Sequence, residues 1–227
     1  MKKVTTLAII PSRGGSKGIP RKGLAKVAGK TLIERAVTAA KNSCLDKIIC
    51  STDDHEFAEE AKKFGAEVPF LRPDELATDS ASVIDTIDHL LDNIDFYPEY
   101  LLLFQPTSPF VTSEDIDNSF KLLEEADAVI GVCESEVKPD WLRRVGKNGT
   151  LKTIGSLDTE KHRPRQEMPV TYRINGSLYW IKTALFQQIK TFQPFNTKPY
   201  IMPQERSIDI DTPLDLDLAN WMMERVS

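Results

Sequence analysis

Short, continuously apolar segments alternate with segments of helical period along the first half of the chain. The apolar segments predict buried strands at 4–10, 48–52, 68–71, 101–104 and 128–133. A strand that is apolar at every position is buried on both faces, and strands that alternate with helices pair in parallel. The sequence therefore predicts an α/β fold in which helices cover both faces of a mostly parallel sheet.

The remaining segments predict the helices and loops of this fold. Helices are expected at 32–40, 57–64, 83–91, 113–125 and 214–226. Further strands are expected at 170–173 and 177–181, around a turn at Asn175-Gly176, and at 207–210. Ligands of open parallel sheets bind outside the carboxyl ends of the strands. We therefore expect the binding residues in the loops at 11–29, 52–54, 72–82 and 105–112.

Composition narrows the class of protein. The 227 residues, of which 41% are hydrophobic and 28% charged, are typical of a single domain that spans 1–227. The 29 Lys and Arg residues against 34 Asp and Glu residues give a net charge of −5, so nucleic acid is not an expected partner. No stretch approaches the ~18 apolar residues of a membrane helix, and the apolar run near the N-terminus ends at Pro11, before any cleavage site.

The cysteines indicate the compartment. Cys44, Cys50 and Cys133 are odd in number and have no CxxC spacing, which disfavours a disulfide framework or a zinc site. A reduced, cytoplasmic protein is therefore expected.

Residues 134–168 differ in character from the rest of the chain. They are polar, rich in Lys and Arg, and without helical period. We interpret them as an excursion from the main sheet, in the form of a β-rich arm.

The loop at 12–23 follows the first predicted strand and combines glycines with cations. Gly14 and Gly15 would allow backbone N–H groups to approach an anion closely. The loop contains four cations, which together can neutralise a triphosphate: Arg13, Lys17, Arg21 and Lys22. The spacing fits neither GxxxxGK[ST] nor GxGxxG. We therefore interpret the loop as a phosphate-binding loop of another kind.

Two aspartates precede the last predicted helix. In an extended segment, the spacing of Asp209 and Asp211 places both carboxylates on one face. Mg²⁺ typically binds through one or two carboxylates together with substrate phosphates. Capping of the helix by Asp211 or Thr212, with Pro213 in the first turn, is an alternative that leaves Asp209 unexplained. The pair therefore predicts a magnesium site.

Seven segments, taken in order, resemble one enzyme family. They are the loop at 12–23, Ser51-Thr52-Asp53-Asp54, 71–77, Gln105-Pro106-Thr107-Ser108-Pro109, Arg165-Gln166, Asn175-Gly176 with Tyr179, and Ile208-Asp209-Ile210-Asp211-Thr212. In sequence and spacing, from about residue 5 to 219, they resemble the acylneuraminate cytidylyltransferases, or CMP-sialic acid synthetases. The related enzymes that act on 3-deoxy-manno-octulosonate resemble the chain less, because their first loop has a different sequence. The resemblance implies a Rossmann-like fold of the nucleotide-diphospho-sugar transferase type.

The resemblance also implies an activity and partners. CTP and a nine-carbon 2-keto sugar acid would give a CMP-sugar and pyrophosphate, by direct attack of the anomeric hydroxyl on the α-phosphate with Mg²⁺ as cofactor. A homodimer is implied, with 134–168 as the dimerisation arm. The acceptor stays open among N-acetylneuraminate, legionaminate, pseudaminate and other nonulosonates, because a few pocket contacts of about 1–3 kcal/mol each decide it.

Site residues follow from the resemblance position by position. Arg13, Lys17, Lys22 and Asp211 would be catalytic, and Asp209 and Asp211 would hold Mg²⁺. The CTP site would comprise Arg13, Gly14, Gly15, Ser16, Lys17, Lys22, Gly23, Arg72, Asp79 and Ser82. The sugar acid site would comprise Gln105, Arg165, Tyr179 and Phe192. Structural alternatives are a surface turn at Arg72, a rigid proline turn at Gln105, and core positions for Tyr179 and Phe192.

Gly23 departs from the family pattern, which usually has Asn after the last lysine of the loop. A side chain expected near the nucleotide is therefore absent, and nucleotide choice could differ. This leaves a catalytically inactive nucleotide-binding protein as an alternative function. The presence of Lys17 and Lys22 together with Asp209 and Asp211 favours an enzyme, because a scaffold needs neither set of charges.

Overall fold

A six-stranded sheet forms the centre of the computed structural model, which describes residues 5–154 and 168–226. Its strands are β1 (Thr6–Pro11), β4 (Lys47–Ser51), β5 (Tyr100–Phe104), β6 (Ala128–Glu134), β9 (Tyr172–Lys182) and β10 (Thr197–Ile201), in the spatial order β10-β6-β9-β5-β1-β4. All neighbouring pairs are parallel except those of β9, which runs antiparallel to both β5 and β6. The predicted α/β fold with a mostly parallel sheet is confirmed.

Helices cover both faces of the sheet. They are α1 (Leu32–Lys41), α2 (His55–Phe64), α3 (Val83–Asp92), α4 (Ser113–Lys121), α5 (Thr183–Ile189) and α6 (Pro213–Val226). Along β1, Leu7 and Ile9 lie in the buried cluster that includes residues of α3 and α5, whereas Ala8 and Ile10 lie in the cluster of α1, α2 and α4. Because side chains alternate across a strand, this continuously apolar segment requires both helical layers.

Two short hairpins lie outside the sheet. The first, β2 (Lys26–Val27) with β3 (Lys30–Thr31), leads from the loop at 12–23, here called the cationic loop, into α1. The second, β7 (Arg143–Val145) with β8 (Leu151–Thr153), lies in the polar excursion and exposes Val145 and Leu151 to solvent. Residues 155–167 of the excursion lie outside the described residues. Among the described helices, none has both the length and the apolarity needed to cross a bilayer.

The turn predicted at Asn175-Gly176 was wrong, because both residues lie inside the continuous strand β9. The pairing of β6 with β9 shifts register between Ile130 and Val132. At this irregularity Gly176 adopts φ +77°, and the buried side chain of Asn175 accepts hydrogen bonds from the backbone N–H and hydroxyl of Ser177, at 3.2 and 2.6 Å. The turn-forming chemistry of Asn-Gly therefore produces a bulge within a strand instead of a reversal.

Two other strand predictions differ from the structure, and one strand was not predicted. The segment 68–71 is not a strand, and its neighbour Glu67 forms only an isolated bridge to Ile49. The segment 207–210 is irregular, and a strand that was not predicted, β10, occupies the edge of the sheet. An edge position explains how β10 accommodates Pro199, since proline cannot donate a ladder hydrogen bond.

A buried carboxylate joins α4 to the C-terminal part of the chain. Asp115 is 3% exposed and accepts hydrogen bonds from both terminal nitrogens of Arg206, at 2.6 and 3.0 Å, from Tyr200 Oη at 2.9 Å and from Thr112 in a capping box. Burial raises the pKa of Asp115, but these hydrogen bonds, led by that of Arg206, outweigh it and lower the pKa below its ordinary value.

We expect Asp115→Asn to lower the free energy of unfolding by about 2 kcal/mol at neutral pH, because a buried charge-assisted network loses its anion. A carboxyl group with a lowered native pKa stabilises the fold above its unfolded pKa of about 3.9, and this contribution is lost as pH falls through the native pKa. Urea unfolding should therefore show a difference between variant and wild type that is constant above about pH 5 and narrows below pH ~4.

Glu114→Gln is the matched control, because Glu114 is exposed in the same helical turn. It should change the free energy of unfolding by less than about 0.5 kcal/mol. An equal loss in both variants at every pH would contradict the role given to the network of Asp115.

Candidate active site

Two adjoining clefts open at the carboxyl ends of β1 and its neighbours. One has a volume of about 160 Å³ and is lined by the loops after β1 and β5, including Ser12, Lys22 and Thr107. The other has a volume of about 260 Å³, is lined by residues 72–86, and shares Pro11 and Arg13 with the first. The predicted position of the binding site at this edge of the sheet therefore coincides with two clefts in the surface.

The cationic loop is fastened to the strand and helix beside it. The backbone N–H of Gly14 donates to Asp53 Oδ1 at 2.9 Å. Arg21 adopts a left-handed conformation with φ 52°, and its guanidinium pairs with Asp54 and Glu56 and lies 5.0 Å from the ring centroid of Phe57. Arg21 was predicted to help neutralise a triphosphate, but its contacts in the structure anchor the loop instead.

Arg13 and Lys17 share one carboxylate partner. Each lies 2.7 Å from an oxygen of Asp79, so that both oxygens of this carboxylate are engaged. Hydrogen bonds from Lys17 and Arg13 lower the pKa of Asp79 below its ordinary value. Two of the side chains predicted to hold phosphates are thus brought together, and a single carboxylate compensates part of their charge.

Arg72 lies beneath this group and is 7% exposed. Its side chain donates to the hydroxyl and the carbonyl of Ser51, which fixes it against the end of β4. Burial lowers the pKa of Arg72, and the charge of Asp53 partly opposes the shift. The alternative of a surface turn at Arg72 is therefore wrong. Ser82, by contrast, uses its hydroxyl to cap α3.

Lys22 connects the loop to the predicted metal ligands. Its Nζ lies 2.8 Å from Asp211 Oδ1, although 189 positions separate the two residues in the chain. Asp211 is 70% exposed, so its carboxylate remains accessible. The backbone N–H of Ile210 donates to the carbonyl of Thr107 at 2.9 Å, which holds the acidic segment against the loop after β5.

Asp209 presents a buried and unsatisfied oxygen. Its Oδ1 has no hydrogen-bond partner. Burial raises the pKa of Asp209, the charge of Asp211 adds to the shift, and a hydrogen bond from Thr107 and the charge of Lys22 oppose it. A buried carboxylate oxygen without a donor is unfavourable unless a cation compensates it.

The aspartate pair therefore fits the predicted magnesium ion. In the described part of the chain, no three His, Cys, Asp or Glu side chains converge in a way that could hold a metal. Mg²⁺ does not require such a cluster, because it usually keeps waters and binds through one or two carboxylates plus substrate phosphates.

Gly23 is buried in a 3-10 helix that follows the loop. A Cβ at this position would lie 2.5 to 2.9 Å from Ser12 Oγ, Phe57 and Ile33, closer than Cβ atoms approach their neighbours. The space next to this glycine is thus filled by other side chains. The departure from the family pattern is accommodated by local packing.

Part of the predicted sugar acid site also comes together. A Cβ on Gly176 would lie 2.9 Å from Asp209 Oδ2 and 3.5 Å from Gln105 Oε1, so both side chains converge on the bulge of β9. Burial, reinforced by the charge of Asp209, raises the pKa of Tyr179. Phe192 is 5% exposed and packs against Tyr179 and Phe186 in the core.

The other predicted residues are placed as follows. Ser16 lines the smaller cleft, Gly15 has open space around it, and Arg165 lies outside the described residues. The lining role of Phe192 stays a prediction. The prediction did not include Gly18 or Thr107 among the site residues, although both lie in segments that it singled out.

Comparison with known proteins identifies the family. A family model described as cytidylyltransferase matches residues 7–222. The chain belongs to the cytidylyltransferase family. It is 38% identical over 225 residues to a CMP-N,N'-diacetyllegionaminic acid synthase of Legionella pneumophila, with 96% of each chain covered. It is 35% identical to an N-acylneuraminate cytidylyltransferase of Escherichia coli O18:K1:H7, where the match covers 96% of this chain and 52% of the relative.

A solved structure confirms the fold of this cytidylyltransferase. It is the CMP:2-keto-3-deoxy-manno-octonic acid synthetase complexed with CTP, which superposes with a TM-score of 0.73 at 14% sequence identity and covers 98% of this chain and 100% of its own. The family model and the relatives confirm the family and the nucleotidyltransferase activity that the sequence resemblance implied, and the solved structure confirms the fold.

Asp79→Asn should tighten the binding of pyrophosphate by about two- to thirtyfold. An anion must displace Asp79 from Arg13 and Lys17, and exposed ion pairs of this kind contribute about 0.2–1 kcal/mol each. Calorimetric titration at low ionic strength would measure the difference, which should shrink at high salt because exposed charges are screened.

Asp74→Asn provides the control, since it removes the same charge from an exposed position in the same loop. Weaker pyrophosphate binding in Asp79→Asn than in Asp74→Asn would show that the carboxylate helps to hold the ligand, and competition would be excluded.

Proposed function

We propose that this cytidylyltransferase is a CMP-nonulosonate synthetase. It transfers CMP from CTP to the anomeric hydroxyl of a nine-carbon 2-keto sugar acid and releases pyrophosphate. The observation that carries the proposal is the convergence, in a member of this family, of the cations after β1 with the carboxylates before α6, joined by Lys22 and Asp211 at 2.8 Å. Nucleotidyl transfer depends mainly on positioning and charge neutralisation, which such a site provides.

The cations and the carboxylates have separate tasks in this reaction. Arg13, Lys17 and Lys22 bind the phosphates and stabilise the charge that develops on the departing pyrophosphate. Asp209 and Asp211 would hold Mg²⁺, which when bound neutralises phosphate charge and can lower the pKa of a bound hydroxyl. The anomeric hydroxyl gives up its proton to water, its oxygen bonds to the α-phosphorus, and the pyrophosphate leaves with the electron pair of the phosphorus–oxygen bond that breaks.

The acceptor is proposed to be an N,N'-diacetyllegionaminate-type acid. The support is the relative from Legionella pneumophila, which is named for that product and matches this chain over 96% of both lengths. N-acetylneuraminate is the second candidate, because the relative from Escherichia coli is 35% identical over 96% of this chain. In either case, Gln105 and Tyr179 would contact the acceptor beside Asp209.

The homodimer stays a prediction, and so does the cytoplasmic location. Support for an association through the polar excursion comes from the exposed apolar side chains of its hairpin, Val145 at 67% and Leu151 at 71%. Apolar side chains that are this exposed on an excursion from the domain are typical of a surface that another chain covers.

The substrate assignment is tested by pyrophosphate release in the presence of Mg²⁺. CTP, UTP, ATP and GTP would be crossed with N,N'-diacetyllegionaminate, N-acetylneuraminate, pseudaminate and 3-deoxy-manno-octulosonate. We expect release with CTP and a nonulosonate, with legionaminate preferred by about 10- to 200-fold in kcat/KM, the range that a few pocket contacts can produce. Release only with the eight-carbon acid, or none from protein that binds CTP, would reject the proposal.

The metal assignment is tested by Asp211→Asn. The variant should keep its thermal midpoint, because Asp211 is 70% exposed, and should lose about 100-fold or more in kcat at saturating Mg²⁺. Asp217→Asn is the matched control, with the same charge change at an exposed position of α6. Equal kcat values for the two variants would remove Asp211 from the metal site.

A further inference from the structure

We propose that Gly18 is a positioning residue, whose missing side chain lets the cationic loop rest on the backbone of Asp211 and so sets the distance between the phosphate-binding cations and the magnesium-binding carboxylates. This inference rests on the proposed function. It assigns a role to a residue that touches neither the phosphates nor the metal in the scheme above.

The observation is a contact between two backbones. A Cβ built on Gly18 would lie far inside van der Waals distance of the carbonyl oxygen of Asp211. The φ of Gly18 lies outside the left-handed region, so its backbone alone would accept an alanine. The glycine is therefore required by the close approach of another backbone and not by its own conformation.

Gly18 differs in this respect from the other glycines of the loop at 12–23. Gly15 has nothing within 4 Å of a built Cβ, and the nearest atoms to one on Gly14 or Gly23 belong to side chains. A side chain can rotate away from an added methyl group, whereas a carbonyl oxygen moves only if its backbone moves.

Both segments are held in place by packing and hydrogen bonds. On one side, Ile210 is fully buried and bonded to Thr107, and the N–H of Asp211 donates to Asp215 Oδ2 at 3.1 Å. On the other side, Ile19 lies in the same buried cluster as Ile210. An added methyl group at position 18 must therefore separate the two segments at the site itself.

This separation acts on the geometry that the reaction needs. Lys22 Nζ and Asp211 Oδ1 lie 2.8 Å apart, so the junction is tight where the triphosphate and Mg²⁺ would meet. A misplacement of ~1 Å can cost about 100-fold in rate, because reacting groups must be held in a narrow range of geometries. Binding of the nucleotide alone depends less on this distance, since the cations move together with their loop.

The test compares Gly18→Ala with wild type by calorimetric titration of CTP with and without Mg²⁺, together with kcat. We expect the affinity for CTP alone to change by less than about threefold, the enhancement of affinity by Mg²⁺ to fall about tenfold, and kcat to fall about 10- to 100-fold. The variant should fold, because Gly18 is exposed and the ion pair between Lys22 and Asp211 adds little to stability.

Gly65→Ala is the control for general destabilisation. Gly65 has φ +112° at the end of α2, so the alanine is strained there without touching the site. Its thermal midpoint should fall, while its Mg²⁺ enhancement and kcat stay at wild-type values. Gly18→Ala should lower kcat by a smaller factor in the Lys22→Ala variant than in wild type, because both changes disturb the same contact between loop and acidic segment.

The outcomes separate this inference from the proposed function. The wild-type protein could be inactive with every nonulosonate and still bind CTP more tightly with Mg²⁺, an effect that Gly18→Ala removes. This result would reject the proposed function and support the positioning role. Enhancement and kcat within about threefold of wild type in Gly18→Ala, or an equal loss in Gly65→Ala, would overturn the positioning role. So would wild-type protein whose CTP affinity does not respond to Mg²⁺.

Discussion

The contact between the first loop and the segment before the last helix is the interaction on which the site depends. The cations come from the beginning of the chain, and the carboxylates predicted to bind Mg²⁺ come from near its end. Lys22 and Asp211 meet across 189 positions, and the N–H of Ala28 donates to Asn220 Oδ1 at 2.9 Å. The buried cluster that includes Ile19 and Ile210 supplies the apolar contact that holds these polar partners in place.

The cations of the site have carboxylate partners within the protein. Arg13 and Lys17 share Asp79, and Lys22 has Asp211. These pairs are mostly exposed, so each contributes little to stability and is easily exchanged for a phosphate oxygen. A protein with a net charge of −5 can in this way attract a polyanion where several cations converge.

The sequence was sufficient for features that depend on neighbours along the chain. Continuously apolar strands, the loops that follow them, and the composition of the loop at 12–23 are local. Apart from the segment 68–71, which is not a strand, the structure has them where the pattern predicted. The bulge of β9 could not be predicted, because Asn175-Gly176 is the typical signal of a tight turn, and only pairing with β6 shows that the strand continues. The edge strand β10 was missed because Pro199 and its polar neighbours lack the apolar pattern on which strand prediction relies.

The partners of the site residues were beyond the sequence for a similar reason. Nothing in the chain near Arg21 distinguishes it from Lys22, yet one pairs with Asp54 and Glu56 and the other with Asp211. The choice is made by the backbone: Arg21 adopts a left-handed φ of 52°, and its guanidinium lies over Phe57. Two adjacent cations of one motif therefore acquire different roles through a single backbone conformation, which residue type and spacing do not encode.

The irregularity of the sheet has a consequence for the acceptor side of the site. A regular strand would carry a side chain at position 176, where a Cβ would lie 2.9 Å from Asp209 Oδ2. The bulge places a glycine there, with a φ of +77° that other residues rarely adopt. Asp209 and Gln105 can then approach β9 from two different loops. The departure from regular pairing thus brings together a carboxylate predicted to bind Mg²⁺ and a side chain predicted to contact the acceptor.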